Sequence, residues 1–521
     1  MILSSPGVLS HPRSAAEPAL DRRPRQWTPR AAQLAAALVG LVAIGAYLFV
    51  ALRRLEYPFA LEQLEGNSLI EVRRILAGQA LYPAPSVGYV PDGYPPLYFY
   101  VSAAVARVLG ASYLTLRLVS LASSLACFAL LARLVQRETG SIAAGTGAAG
   151  VFAATYFVAG DWFDIGRVDS LFLALSIGGL YAVRWMRGTP GAIAAGALLA
   201  AAALTKQTGL AELVAVLTVL MVSPRRRLAR VTAITAVAIV GLSTLMLRLA
   251  SGGWYTYYTI KQMSEHSLTV SNFGWFWTAL ATALGLAGCA AVIGARRVPR
   301  ELLAGCAALA VEGYATLVHS GGAINDVLPA YLAVALLAGL ALGNVSARRV
   351  TTVAGVLILA QAVFLLASSH PFRGIPASSS AVAQRLIAGM RALGGDVAVP
   401  SEPSLSLQAG MTPAAVPGAV FDVVRATDQT GIASYLNSAD GAVKARQFSA
   451  IISPGAGKAL YGPPHLLDDY QECLQSLPAG PATVLIPVAG DQTRPAVVWI
   501  PRGDSCQHVL SILGGGKEAS S

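Results

Sequence analysis

The residues best suited to chemistry lie in LEQLEGNSLIEVRRILAGQALYP, residues 61–83, which follows an apolar run long enough to cross a membrane. The stretch carries Glu62, Glu65 and Glu71 together with Arg73 and Arg74. A carboxylate can take a proton from an attacking hydroxyl, and guanidinium groups can hold an anionic group or stabilise charge that develops on it. Acids and cations together at this point therefore suit proton transfer beside an anionic group at the surface of a bilayer.

The composition predicts the elements that must position these residues. Of the 521 residues, 55% are hydrophobic and only 12% are charged, whereas a soluble domain carries about 25% charged residues. Apolar runs recur from about residue 31 to 369 and then stop. We therefore expect a polytopic α-helical membrane protein with a cytoplasmic tail at 1–30, a transmembrane domain at 31–370 and a small extracytoplasmic α/β domain at 371–521.

The apolar runs predict about eleven membrane spans. The first run is too long for the core of a signal peptide and has no clear cleavage site, so we interpret it as an uncleaved span. The predicted spans are 31–52, 113–134, 141–159, 168–186, 190–206, 208–222, 230–250, 273–295, 300–318, 325–343 and 349–369.

The arginines set the predicted orientation. The net charge of +11 does not indicate nucleic-acid binding, because most arginines fall between apolar runs, as in cytoplasmic loops. These arginines are Arg133, Arg137, Arg184, Arg187, Arg225 to Arg227, Arg230, Arg296, Arg297, Arg300, Arg348 and Arg349. If PPLYFYVSAAVARVLG, residues 95–110, crossed the bilayer, all of these loops would switch sides. We therefore predict that it is a juxtamembrane helix on the outer surface, which leaves the N-terminus inside.

This topology places four polar segments on the outer face, at 53–112, 160–170, 251–272 and 319–326. Arg53 and Arg54 break the charge rule there. Either they hold lipid phosphates at the outer surface or the first loop is misplaced, and we favour the lipid contact. The predicted compartment is the inner membrane of a bacterium, with the C-terminal domain in the periplasm.

A known family shares the pattern of the first outer loop. The stretch EGNSLIEVRRILAGQALYP followed by YPPLY resembles the type C (GT-C) membrane glycosyltransferases, in particular the branch of protein O-mannosyltransferases and lipid A aminoarabinose transferases. The resemblance covers about residues 31–345. It implies an inverting transfer of a sugar from a polyprenyl-phosphate donor to a lipid, glycan or protein hydroxyl outside the membrane, with a carboxylate as the base.

The resemblance also implies roles for individual residues. The family pattern has an Asp-Glu pair at the start of the first surface helix, and here these positions are Leu64 and Glu65. Glu65 is therefore the first choice for the base and Glu62 the alternative, while both could instead be solvated acids that cap a helix. Glu71 is expected to form a surface ion pair with Arg74, three residues further on.

Other outer segments supply further candidates, each with a structural alternative. In GDWFDIGRVDS, Asp161 and Asp164 could orient the acceptor or hold a divalent cation, and Arg167 could contact the donor phosphate or pair with Asp164 or Asp169. Lys206 could contact the phosphate or snorkel to the surface. The further predicted substrate contacts are Tyr94, Lys261, His266, His319 and Arg74. No cofactor and no clear metal site is predicted.

The soluble tail contains strand-like pieces and two cysteines. The predicted strands are DVAVP, AVFDVV, FSAIIS, TVLIPV and AVVWIP, and SAVAQRLIAGMRAL is a predicted helix. Cys473 and Cys506 can form a disulfide if the tail is outside the cytoplasm. The tail has no nucleotide-binding motif, so it is predicted to cap the cavity or to recognise an acceptor.

A second function class fits the same features. A helix bundle with internal ionisable groups would also suit a transporter or flippase of lipid-linked sugars. Inverted repeats with broken spans at matching positions would favour transport, and the sequence does not show them. A non-catalytic scaffold is the third interpretation, and it predicts that Glu65 and Asp161 are dispensable.

Overall fold

The computed structural model describes residues 28–514 except 296–297, 345–346, 377–379, 456–458, 474–476, 478–484, 492 and 494. The helices of the N-terminal part are α1 Pro29–Arg54, α2 Glu65–Leu76, α3 Leu97–Leu109, α4 Tyr113–Thr139, α5 Ile142–Ala154, α6 Asp169–Trp185, α7 Gly188–Thr205, α8 Gly209–Val222, α9 Arg226–Ala250, α10 Trp254–Thr256, α11 Gln262–Glu265, α12 Val270–Gly294, α13 Arg300–Leu317, α14 Leu328–Leu342 and α15 Arg348–Ser368. A π-helical turn, Tyr257–Lys261, joins α10 to α11, and a 3-10 turn, Ile324–Val327, precedes α14.

The polytopic helical architecture is confirmed. Within the described part of the chain, seven helical stretches are long and apolar enough to cross a bilayer: α1, α4, α7, α9, α12, α15 and the stretch Ile324–Leu342 that contains α14. The other four predicted spans coincide with α5, α6, α8 and α13, which are shorter or more polar. The exact number of spans stays a prediction.

Small residues allow the helices to approach closely. Helix α1 packs against α5 and α15. At the first of these contacts, a Cβ atom added to Gly150 would lie 2.0 Å from the Cα atom of Gly40, so only glycine fits there. This agrees with the rule that helices in lipid associate through small residues.

Helix α3 does not cross the bundle. Arg117, in the second turn of α4, donates hydrogen bonds to the carbonyl oxygens of Arg54 at 3.2 Å and of Phe59 at 2.6 Å. The beginning of α4 therefore lies at the same end of the bundle as the end of α1. Because α2 has only 12 residues, about 18 Å, the chain between α1 and α4 stays at that end, as the arginine pattern predicted.

The C-terminal part forms a small α/β domain around a four-stranded sheet in the order β1-β2-β4-β3. Strands β1 and β2 are parallel, and the β2-β4 and β4-β3 pairs are antiparallel. The elements are α16 Ser380–Leu393, β1 Asp396–Ala398, α17 Pro403–Ala409, α18 Pro417–Val424, α19 Gln429–Lys444, β2 Phe448–Ser453, α20 Leu466–Asp469, β3 Tyr470–Glu472, β4 Val497–Pro501 and α21 Cys506–Leu513.

Three of the five predicted strands agree with β1, β2 and β4, but AVFDVV forms α18 and its prediction as a strand is wrong. Pro417 begins this helix, and Ala419, Val420 and Val423 are buried at a helical spacing. The predicted strand TVLIPV lies partly outside the described residues, and β3 was not predicted. Cys473 and Cys506 form a disulfide.

The C-terminal domain shares a hydrophobic core with the juxtamembrane helices. Leu69 of α2 and Phe99 of α3 belong to the same buried cluster as Val420 of α18 and Trp499 of β4. At the edge of this core, the buried Glu402 accepts hydrogen bonds from the Ala60 amide at 2.8 Å and from a tyrosine hydroxyl of α4 at 2.9 Å. The domain is therefore docked on the end of the bundle where α1 ends.

Candidate active site

Glu65 is fully buried at the start of α2. Arg117 donates from Nε to Oε1 at 2.9 Å and from Nη2 to Oε2 at 2.8 Å. The backbone amides of Gly166 and Leu61 donate to the same two oxygens at 2.8 and 2.7 Å. Four donors thus occupy both carboxylate oxygens, so Glu65 ties α2, α4 and the loop before α6 together and has no free oxygen to receive a proton from an acceptor.

Arg54 and Asp164 form a second buried ion pair. Arg54 donates from Nε and Nη2 to the two oxygens of Asp164 at 2.8 and 2.7 Å, and the Tyr156 hydroxyl donates to Oδ1 at 2.9 Å. The interpretation of Arg54 as a lipid contact is therefore wrong, because its guanidinium is completely buried inside the protein. Arg53 is exposed.

Asp161 lies beside this second pair. Its backbone has a φ of 57°, and its carbonyl oxygen accepts a hydrogen bond from Arg54. Burial raises the pKa of Asp161 to about 6, while the nearby Arg54 opposes the shift. Among the described residues its Oδ1 has no hydrogen-bond partner. The structure therefore places Asp161 and Asp164 together with Arg54, in a different cluster from Glu62.

Glu62 has the properties of a general base. Its Oε2 accepts hydrogen bonds from Nη1 of Arg167 at 3.2 Å and from the Leu64 amide at 3.0 Å, and no described residue donates to its Oε1. Burial raises the pKa of Glu62 to about 7, although Arg167 lowers it. A carboxylate with an unoccupied oxygen and a pKa near neutrality can accept a proton at physiological pH.

Asp92 is the second acid beside Arg167. Its Oδ2 lies 3.9 Å from Nη1 of Arg167, and its Oδ1 accepts a hydrogen bond from Asn67 at 2.8 Å. The Asp92 amide donates to Glu71 at 2.8 Å. Burial and the neighbouring Asp92 raise the pKa of Glu71 well above its usual range. Burial also raises the pKa of Asp92, while Arg167 and the hydrogen bond from Asn67 oppose that shift. Asp92 is the acid of this pair whose carboxylate faces Arg167.

Arg74 lies apart from these acids, at the far end of α2. Its Nε and Nη2 donate to the carbonyl oxygen of Ala80 at 3.0 and 2.9 Å, and its guanidinium stacks 4.2 Å above the Tyr89 ring. The expected surface ion pair between Glu71 and Arg74 is wrong, because Glu71 is completely buried and bonds the Asp92 amide instead.

Tyr94 and Lys206 extend the Glu62 cluster. Nη2 of Arg167 donates to the Tyr94 hydroxyl at 3.4 Å, and the Tyr94 hydroxyl lies in the electrostatic field of both Arg167 and Lys206. Lys206, at the end of α7, is buried and bonds Asp169 at 3.3 Å and Asp326 at 3.1 Å. We call Glu62, Arg167, Tyr94 and Lys206 the Glu62–Lys206 row.

His266 and His319 meet the C-terminal domain. Nε2 of His266 lies 2.9 Å from the carbonyl oxygen of Asp422 and 3.3 Å from Nε of Arg425. The two imidazole rings are 5.1 Å apart, and burial lowers the pKa of His266 to about 4. The histidine is therefore neutral at neutral pH. In the same region Lys261 bonds a surface aspartate of the C-terminal domain at 2.7 Å.

Helix α18 borders both the histidines and the Glu62–Lys206 row. Burial raises the pKa of Asp422 to about 6, and the charges of Asp92 and Arg167 also act on it. On the other side of the row, a Cβ atom added to Gly490 would lie 3.3 Å from Oε1 of Glu62. Two segments of the C-terminal domain therefore cover the site.

The sequence analysis missed Asp92 and Glu402, whose partners are distant in the chain, and also the ion pair of Asp422 and Arg425, which stand three residues apart. Only Asp92 had a local signal, since it stands two residues before the YPPLY motif. For the divalent cation considered as an alternative at Asp161 and Asp164, no group of three or more His, Cys, Asp or Glu side chains in the described ranges is arranged as a metal site.

Comparison with known proteins identifies the fold. The family model of dolichyl-phosphate-mannose-protein mannosyltransferases matches residues 93–249. Two crystal structures of ArnT from Cupriavidus metallidurans, one bound to undecaprenyl phosphate and one in the apo state, superpose with TM-scores of 0.57 and 0.56. The chain therefore has the fold of ArnT, and the family model supports the predicted resemblance to GT-C glycosyltransferases over residues 93–249.

The GT-C architecture extends over nearly the whole chain. Each superposition covers 88% of this chain and 97% of the ArnT chain, at 16% and 15% sequence identity. A comparison with curated proteins found no significant match. The resemblance predicted from residues 65–98 is therefore confirmed by the family model and by the fold, and both support the expectation that the chain is a glycosyltransferase.

Proposed function

We propose that this GT-C enzyme transfers a sugar from a polyprenyl-phosphate donor to an acceptor hydroxyl on the outer face of the bacterial inner membrane, with inversion at the anomeric carbon and Glu62 as the base. The undecaprenyl phosphate bound to ArnT supports a lipid phosphate as the carrier. The Glu62–Lys206 row supports the chemistry, because Glu62 pairs with the Arg167 guanidinium at 3.2 Å and the neighbouring Tyr94 hydroxyl lies in the electrostatic field of both Arg167 and the Lys206 ammonium group.

The proposal depends most on the contrast between Glu62 and Glu65. The unoccupied oxygen of Glu62 and its pKa of about 7 suit proton transfer. Glu65 has both oxygens filled by Arg117 and two backbone amides. The order of preference suggested by the family pattern is therefore reversed in this proposal, with Glu65 as the residue that positions the loop.

The proposed reaction is a direct displacement. Oε1 of Glu62 takes the proton of the acceptor hydroxyl as the hydroxyl oxygen forms a bond to the anomeric carbon. The bond between this carbon and the phosphate oxygen breaks, and its electron pair leaves with the lipid phosphate. Attack from the face opposite the phosphate inverts the anomeric configuration.

The leaving phosphate needs positive charge beside it. Arg167 and Lys206 supply a guanidinium and an ammonium group, and the Tyr94 hydroxyl, which lies in the electrostatic field of both, can donate a hydrogen bond. Both cations also face carboxylates, which keep them charged in a buried site. In this proposal the phosphate draws the two cations partly away from Glu62 and Asp326.

Two further features support the outer-face location. The C-terminal domain contains the Cys473–Cys506 disulfide, and disulfides persist in oxidising compartments such as the periplasm. The arginines of the 224–227 turn and the end of α6 lie at the opposite end of the bundle from Glu62, which suits a cytoplasmic position for that end.

The test is transfer by the purified protein from a set of defined polyprenyl-phosphate sugars. We expect transfer from at least one donor, and a loss of about 100-fold or more in Glu62→Gln. The matched control is Glu56→Gln, which changes an exposed acid of the same loop and should keep the wild-type rate. Failure of every donor, with lipid-linked sugar crossing vesicles at a normal rate, would instead establish a transporter.

A further inference from the structure

A groove separate from the Glu62–Lys206 row opens between the far end of α2 and the C-terminal domain. Its volume is about 720 Å³, within the range of pockets that hold small ligands. The lining residues are Ile70, Arg73, Arg74, Leu76, Ala77, Gln79, Gly88, Tyr89, Ala111, Leu407, Thr412 and Pro413. We call it the Arg73–Thr412 groove.

The groove carries uncompensated positive charge. Arg73 and Arg74 both line it, and neither aspartate nor glutamate is among the described residues that form its walls. Within the described part of the chain, neither arginine has a carboxylate partner within 4 Å, in contrast to the paired Arg54, Arg117 and Arg167. An anion in the groove would therefore meet two cations without displacing an existing ion pair.

Arg74 is held in place before any ligand arrives. The Ala80 carbonyl oxygen fixes two of its nitrogens, and the Tyr89 ring supports the guanidinium plane. Neither partner is an anion, so the positive charge remains available while the side chain is ordered. Binding to such a preorganised group avoids much of the entropy cost of immobilising an arginine.

The remaining walls are apolar and lie at the end of a spanning helix. Ile70, Leu76, Leu407 and Pro413 give hydrocarbon surface on two sides. Ala111 lies two residues before the first residue of α4, one of the helices long enough to cross the bilayer. The groove is therefore near the membrane surface, where a molecule with a polar head and an apolar part would reach it.

The donor phosphate cannot occupy this groove during transfer. Leu76 lies 11 residues after Glu65 on helix α2, about 16 Å along its axis, whereas a donor in the reaction must lie within bonding distance of an acceptor at Glu62. The ligand of the groove is thus a different molecule from the reacting donor.

We propose that the Arg73–Thr412 groove binds the anionic headgroup of an amphipathic membrane lipid, with the anion on Arg73 and Arg74 and the apolar part against Leu407 and Pro413. This binding does not depend on the identity of the base or of the transferred sugar. Loss of activity in Glu62→Gln would leave it unchanged, so the two proposals can fail separately.

The test measures binding of dihexanoyl phosphatidic acid to the full chain in phosphatidylcholine nanodiscs, with dihexanoyl phosphatidylcholine and inorganic phosphate as competitors. We expect the double variant Arg73→Ala/Arg74→Ala to weaken binding by about tenfold or more, the size of one lost charge-assisted hydrogen bond. The matched control is Arg107→Ala, which removes an exposed arginine of α3 outside the groove.

A second variant tests the cavity rather than the charge. A Cβ atom on Gly88 meets no atom within 4 Å, so Gly88→Leu should fit the fold, fill the groove and weaken binding while both arginines remain. The matched control is Gly441→Leu on the open surface of α19, which should leave lipid binding unchanged. The proposal would be overturned if Arg107→Ala weakened lipid binding as much as the double arginine variant does. It would also be overturned if both groove variants kept the wild-type affinity, or if inorganic phosphate competed as strongly as unlabelled phosphatidic acid.

Discussion

Replacing Asp92 by asparagine should shift the pH dependence of turnover without replacing any group that takes the acceptor proton. Glu62 acts as a base only when it is deprotonated, so the rate should rise with pH through its pKa of about 7. The negative charge of Asp92 helps to raise that pKa. Asp92→Asn removes this charge, so the pKa of Glu62 should fall and the acidic limb of the profile should move to lower pH.

The geometry sets the size of the shift. Oε2 of Glu62 lies 3.2 Å and Oδ2 of Asp92 lies 3.9 Å from the same Nη1 atom of Arg167. The two carboxylates are therefore at most about 7 Å apart, where like charges repel by roughly 2.4 kcal/mol at an effective dielectric constant of about 20. Because Glu71 and Asp92 influence each other's charge and the site can relax, we expect a smaller shift, of about one pKa unit.

The assay is kcat/KM for sugar transfer from pH 5 to 9 with wild type, Asp92→Asn and the control Asp468→Asn. Asp468 has a side chain that is 72% exposed, so its replacement should leave the profile unchanged. The thermal midpoint of each variant, measured at every pH, separates unfolding from titration. An active Asp92→Asn enzyme whose acidic limb stays in place or moves to higher pH would refute the reasoning.

Three further predictions concern stability. Glu65→Gln leaves the Arg117 guanidinium buried without a carboxylate, so the free energy of unfolding should fall by about 3–5 kcal/mol, and an unchanged thermal midpoint would contradict the structural role. Glu402→Ala removes the acceptor of the Tyr113 hydroxyl, so hydrogen exchange at the docked face of the C-terminal domain should become faster than in wild type. Cys473→Ser opens a crosslink over 33 residues and should destabilise this domain by about 3–4 kcal/mol, which reductant should reproduce in wild type but not in the variant.

Hydropathy and charge were sufficient to predict the membrane part of the fold. Each predicted span coincides with a helix, because apolar runs in lipid must satisfy their backbone hydrogen bonds internally. The position of the segment 95–110 was harder to predict, because its composition alone would also allow a short membrane span. The arginine-rich loops decided its position, because a crossing there would have reversed the side of every later loop.

The partners of the buried charges could not be predicted. Arg54 was interpreted as a lipid contact because it breaks the charge rule on the outer face, while its partner Asp164 stands 110 residues away. Asp92 follows a valine and a proline in a loop, where a solvated acid is the ordinary interpretation. In both cases the pairing is set by tertiary packing, and no local pattern reports it.

Choosing between the two glutamates also required atomic contacts. Both stand in the same loop, and the family pattern favoured Glu65. Only the structure shows that Arg117 saturates Glu65, whereas Glu62 keeps an oxygen without a donor among the described residues. Helix α18 differs, because its sequence alone contained the evidence for a helix. Its apolar residues Val416, Ala419, Val420 and Val423 follow a helical period, but the segment was interpreted as a strand.

The most direct test of the central claim compares Glu62→Gln with Glu65→Gln in the transfer assay, with each rate divided by the folded fraction from thermal unfolding. If Glu62 is the base, folded Glu62→Gln loses about 100-fold or more in turnover, while Glu65→Gln unfolds earlier but its folded molecules still transfer sugar. Full turnover by Glu62→Gln, or a folded and inactive Glu65→Gln, would contradict the account.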